Sequence, residues 1–168
     1  LKKDLRSQLR KLHKLGQTII HVTHDFEEAL LLADKVAIFN QGKIVQQGLK
    51  NDVFSQPRSE FIAHFIGVKN YYEVSAMHEN MLEVAQKISF VCSETTEERQ
   101  RPHALMIHSG DIQLNPYDEE KAQADNTFVG HIKEIYPAYR GFELIIDIGL
   151  PLVVNISQYV LVKFNIEE

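Results

Sequence analysis

Leu5, Leu9 and Leu12 recur at i, i+4 and i+7, one apolar helix face, and Gly16 follows where a helix C-cap glycine belongs. The opposite face carries Lys2, Lys3, Arg6, Arg10, Lys11 and Lys14, and without interleaved aromatic residues it reads as a solvated face rather than a nucleic-acid patch. Residues 17–23, QTIIHVT, are β-branched and bounded by a glycine and an acidic run, so a short buried strand is expected. A helix follows: Asp25 and Glu28 have capping-box spacing, and Phe26, Ala29, Leu30 and Ala33 share one face. In KVAIFNQGKIVQQG two apolar runs are separated by Asn40, Gln41 and Gly42, a hairpin signal. Residues 49–66 predict two short helices around Pro57, anchored by Phe61, Ile62 and Phe65. This order suggests the closing part of an α/β domain.

From Tyr71 onward the pattern shortens to alternating segments: YYEVSAM, MLEVA, KISFV, HALMIH, TFVGHIKEI, FELIIDI, PLVVNI and YVLVKF. Such segments between turn residues predict a small OB-like β-barrel, with Phe142, Leu144, Ile146 and Ile148 on one face. CSETTEERQRP and NPYDEEKAQAD read as exposed loops. The expected fold is therefore α+β, with domains 1–68 and 69–168 and a boundary near residues 67–70.

At 168 residues and 44% hydrophobic the chain has enough apolar material for a core. Its net charge of −5 gives no overall attraction to nucleic acid, and the acidic SETTEE and YDEE stretches would repel a phosphate backbone. A single cysteine, Cys92, cannot form an internal disulfide and reads as a partly buried thiol in a reducing compartment. No apolar run approaches the roughly 20 residues of a membrane span, and no signal peptide is evident, so a soluble cytoplasmic protein is expected. A first residue other than methionine, in mid-helix, suggests a piece of a longer chain.

The chemistry concentrates in TIIHVTHDFEEAL, residues 18–30. His21 and His24 make a weak zinc site: residues i and i+3 of an extended segment face opposite ways, and no second ligand cluster sits at a useful spacing, so no metal is expected. His24 stands at a strand end before a helix. There an imidazole either gives polar cover or bonds a phosphate oxygen or an attacking water, and spacing alone leaves both open.

Residues 5–70, through TIIHVTHDFEEALLLADKVAIFNQGKIVQQG and DVFSQPRSEFIAHFIG, closely resemble the end of the nucleotide-binding domain of ABC-transporter ATPases. The resemblance implies a remnant of a P-loop NTPase α/β domain. It makes His24 the switch histidine, which touches the γ-phosphate of ATP and the attacking water across a dimer of two such domains. His21 inherits no role. The chain contains no G-x-x-x-x-G-K-[ST] phosphate loop, and the LSGGQ signature and Walker B acids are absent too. ATP and magnesium thus belong to the parent protein, and no cofactor, ATP binding or hydrolysis is expected of these 168 residues alone.

The second half is similar to the regulatory β domain of such importers, of TOBE/MOP type. Gly67, Asn70, ALMIHSGDIQL and NTFVGHIKEI carry the likeness, although His108, Ser109 and Gly110 stand where that family often has Arg-Pro-Glu. The N-x-F-x-G-x-I opening, Asn126 to Ile132, resembles molybdate-binding barrels, while the passage from Ser157 straight to YVLVKF departs from them. These likenesses imply the C-terminal part of the ATP-binding subunit of an importer of molybdate, tungstate or a similar oxyanion. Its partners would be a second copy, a membrane permease at the inner face of the cell membrane and an oxyanion ligand, with no nucleic acid. The alternative is a stand-alone dimerising, oxyanion-sensing module without ATPase activity. Loss of sheet partners would leave residues 1–66 rearranged or covered by a second copy.

Overall fold

A computed structural model describes residues 2–85, 88–92, 103–118 and 124–166. It divides into two units, Leu1–Gly67 and Val68–Glu168. The N-terminal unit opens with helix α1, Lys2–Lys14. Gly16, at φ 87°, ends it in a Schellman arrangement: its N–H donates to the His13 carbonyl (2.9 Å) and the Gln17 N–H to the Leu12 carbonyl (3.2 Å).

Residues 17–23 are not the expected strand. They pair with no strand among the described residues, and Ile20 and Val22 are each 92% exposed. β-branched side chains favour a strand only through the neighbours they pack against. Leu5 and Leu12 of the α1 stripe are exposed as well.

Helix α2, Phe26–Leu32, is capped by Asp25. The hairpin forms as expected: β1, Lys35–Asn40, pairs antiparallel with β2, Lys43–Leu49, through a two-residue turn at Gln41 and Gly42. Both turn residues have positive φ, 48° and 76°, the geometry that matches strand twist. Helices α3, Lys50–Ser55, and α4, Glu60–Phe65, flank Pro57. Ile38, Val53 and Ile62 form the core of this unit, with Phe65 against it, while Phe61, an expected anchor, is exposed. Buried Gln46 holds the inter-helix link, donating to the Gln56 carbonyl and accepting from the Arg58 N–H, each at 3.0 Å. Every strand pairing among the described residues is antiparallel, so the parallel sheet of a P-loop domain is not formed here.

The C-terminal unit contains two sheets. The first orders β5 (Ile88–Val91), β4 (Met81–Val84), β3 (Asn70–His78) and β6 (Ala104–Ile107). The second orders β7 (His131–Ala138), β8 (Gly141–Asp147) and β9 (Pro151–Ile156). Leu144, Ile146, Leu152, Val154 and Ile156 form one buried cluster, and Val84, Ile88, Phe90 and Leu150 the other. Tyr72, Ile107 and Ile148 pack against both, which fuses the two into one interior.

Among the described residues neither seam between the sheets is a backbone ladder, and an asparagine side chain bridges each. At the β6–β9 seam, Asn70 is 1% exposed. Its amide donates to the Ile107 (3.1 Å) and Val153 (2.8 Å) carbonyls and accepts from the Val153 N–H (2.7 Å). The Tyr72 hydroxyl donates to the Pro151 carbonyl at 2.5 Å across the same seam, and burial pushes that phenol up to about 12. The Asn155 N–H donates to the Ser109 carbonyl (2.9 Å), extending the bridge. At the other seam, Asn126 accepts from the Val91 N–H and donates to the Val91 carbonyl, both at 2.8 Å. The result is a barrel-like unit, closed in part by side chains that imitate a strand.

YVLVKF, read as a last strand, is instead helix α5, Gln158–Lys163, with Ser157 as its N-cap. Val160 and Leu161 turn toward the Leu144 cluster, while Tyr159 and Val162 remain exposed. Core contact and a capping serine outweigh the strand preference of its valines. CSETTEERQRP beyond Cys92, and residues 119–123 of the second polar stretch, lie outside the described residues.

Candidate functional site

His24 occupies the bend between the irregular segment 17–23 and the Asp25 cap of α2, and its side chain is exposed. Around it lies a polar network, most of which the motif reading did not single out. The Asp25 Oδ1 accepts from the Glu28 N–H (3.1 Å), the first half of a capping box. The other half runs through Thr23: its hydroxyl accepts from the Asp25 N–H (3.0 Å) and donates to the Glu28 Oε2 (2.9 Å). His21 Nε2 lies 3.4 Å from that oxygen. Arg6 of α1 reaches Glu28 Oε1 (3.3 Å) and Asp25 Oδ2 (3.5 Å), and Arg10 donates to the Leu31 carbonyl (3.3 Å) at the C-terminal end of α2.

The basic face of α1 is therefore only partly solvated, since Arg6, with 21% of its side chain exposed, ties α1 to α2. Asp25 was legible as a cap, whereas Arg6 lies 22 residues from Glu28 and no local spacing joins them. The Thr23 hydroxyl, then the His21 and Arg6 contacts, hold the Glu28 carboxyl below its usual value of 4.5. A carboxylate depressed by folding stabilises the fold above its ordinary value and loses that contribution as pH falls through the folded one. The α1–α2 tie is expected to loosen as pH falls below about 4.5. Amide exchange at Glu28 and Ala29, followed against pH, checks this.

Among the described residues no group of three or more His, Cys, Asp or Glu is arranged to hold a metal ion, and no helix is long and apolar enough to cross a membrane. These 168 residues contain no G-x-x-x-x-G-K-[ST] phosphate loop.

In the C-terminal unit, the structure gives the N-x-F-x-G motif a role in closure. Asn126, at φ 54°, bridges to Val91; Phe128 packs on Phe90, ring centroids 4.8 Å apart; and a Cβ on Gly130 would meet the Ile146 and Ile148 methyls at 2.5 and 2.8 Å. A groove of about 1080 Å³ runs along this unit, lined by apolar Leu105 and Leu152 and polar Asp111, Gln113 and Lys163.

No protein-family model matches the chain. Individual proteins do. It is 33% identical over 140 residues to the spermidine/putrescine import ATP-binding protein PotA of Nostoc sp. strain PCC 7120, covering 79% of this chain and 36% of that protein. Proteins of the same name from Bacteroides thetaiotaomicron and Haemophilus ducreyi are 32% identical over 120 residues and 30% over 151. Those matches cover 71% and 86% of this chain, and 26% and 40% of the relatives. The chain thus spans roughly a third of the length of the relatives it matches. Their names carry a polyamine, not the oxyanion expected from the barrel motif. By sequence, the chain is similar to the C-terminal region of ATP-binding subunits of ABC importers.

Proposed function

We propose that this chain is the C-terminal region of the ATP-binding subunit of a polyamine importer. The observation that carries the reading is the length of the match: 140 residues are more than either unit holds, so the similarity runs through the ATPase-like segment and the β unit together. Oxyanion transport is not retained. The relatives are named for spermidine and putrescine, and Asn126, Phe128 and Gly130, which suggested molybdate, are engaged in closing the barrel.

In the complete subunit, His24 contributes an exposed imidazole able to bond a phosphate oxygen or orient a water, the positioning and electrostatic help that phosphoryl transfer needs. Nucleotide and magnesium would be held by parts of the subunit that these residues do not include. The β unit is a regulatory domain, and the subunit works at the inner face of the membrane on a permease, as a homodimer.

Uptake of radiolabelled spermidine and putrescine, in cells whose only polyamine importer contains the complete subunit, tests the reading. Accumulation is expected to require the subunit and to be unaffected by excess molybdate. Molybdate uptake that depends on the subunit, with no polyamine uptake, would overturn the substrate class.

A further inference from the structure

We propose that Glu28 is the positioning residue of His24, an inference that rests on the phosphate-facing role of His24 proposed above. Thr23 and Asp25, both half-buried, engage the Glu28 side chain or its N–H, and the exposed His21 lies 3.4 Å from the same carboxylate, whereas Val22 and His24 between them are exposed. One side of the segment is bolted down, and the other side presents His24 outward.

The bolt acts on both neighbours of the histidine. Thr23 is held through its hydroxyl to Glu28 Oε2 (2.9 Å), and Asp25 through its carboxylate to the Glu28 N–H (3.1 Å). Thr23 and Asp25 are also joined directly, hydroxyl to N–H at 3.0 Å, so the backbone across His24 is clamped into a short closed loop. Arg6 fastens the assembly to α1 by bonding Glu28 and Asp25 with the same guanidinium nitrogen. Only 16% of the Glu28 side chain is exposed, and its carboxylate stays ionised at neutral pH, as an acceptor from Thr23 and Arg6 must. An apolar residue at this position would leave the Arg6 guanidinium without its Glu28 partner. It would supply none of the directional bonds that fix the segment, and supporting bonds of this kind decide how tightly a reactive group is held.

The test has two arms. In the complete ATP-binding subunit, Glu28→Ala and Thr23→Val are each expected to lower kcat about tenfold with the KM for ATP little changed, the pattern of a misplaced group. The double variant should fall no further than either single one, because both remove one bolt. Thr23→Ser, which keeps the hydroxyl, should restore kcat. In the present chain, Glu28→Ala should speed amide exchange at Asp25 and Glu28 about fivefold, the loss of roughly one cap's worth of local stability.

Unchanged kcat in Glu28→Ala and Thr23→Val, with turnover stopped by His24→Ala, would overturn the positioning role and leave that of His24 standing. A rise in KM alone would also overturn it. Normal turnover in His24→Ala would remove the assignment of His24 and this inference with it.

Discussion

Asn70→Ala is expected to destabilise the C-terminal unit by roughly 3 kcal/mol, the cost of leaving several buried backbone groups without partners. The side chain makes three bonds to the backbone of β6 and β9. Truncation orphans the Ile107 and Val153 carbonyls and the Val153 N–H at a site that is 1% exposed at Asn70 itself. Asn70→Asp should fare no better, because a carboxylate keeps the acceptor, loses both donors and carries a charge into the interior. Urea unfolding followed by far-UV circular dichroism measures the loss, and a value under about 1 kcal/mol would show that the seam holds without its amide.

Gly141→Ala should be at least as damaging. Gly141 opens β8 at φ 116°, a conformation L residues rarely adopt, and a Cβ there would overlap the Ile156 carbonyl oxygen and press on the Ser157 Cα at 3.0 Å. The obstacles are backbone atoms of the adjoining strand and its exit, which cannot swing aside as a side-chain tip would. Relief requires moving β9 from β8, where Phe142 pairs with Ile156. Backbone strain plus a disturbed strand pair comes to about 3 kcal/mol or more. Gly110→Ala is the matched comparison in the same unit: nothing lies within 4 Å of its Cβ and its φ is ordinary, so its midpoint should barely move. Equal losses in the two variants would show that the steric argument is mistaken.

Features written locally were readable in advance. The Asn40–Gln41–Gly42 turn, the Asp25 cap and the alternation Phe142, Leu144, Ile146 each state their outcome within a few residues. Two segments with strand composition went elsewhere for different reasons. Residues 17–23 have no pairing strand among the described residues, and 158–163 found a capping serine and a core to lean on. The seams were hidden because their partners are remote: Asn70 and Val153 are 83 positions apart, and Asn126 and Val91 are 35 apart. A motif of spaced Asn, Phe and Gly looks the same whether it cradles an anion or shuts a barrel, and only the neighbours decide. The segment around His24 divided similarly: His24 stood out as a motif residue, but Arg6, which bonds Asp25 and Glu28 beside it, did not.

The amide seams also bear on the order in which the C-terminal unit assembles. The β7–β8 and β8–β9 hairpins close loops of a few residues, whereas the Asn70 bridge waits for chain segments more than eighty positions apart to meet. Loop entropy places such contacts late, after the hairpins have committed to their registers. Bonds absent from the transition state govern the rate of escape from the native state and leave the rate of arrival almost untouched. Asn70 is therefore a determinant of how long the barrel lasts once made, more than of how fast it is made.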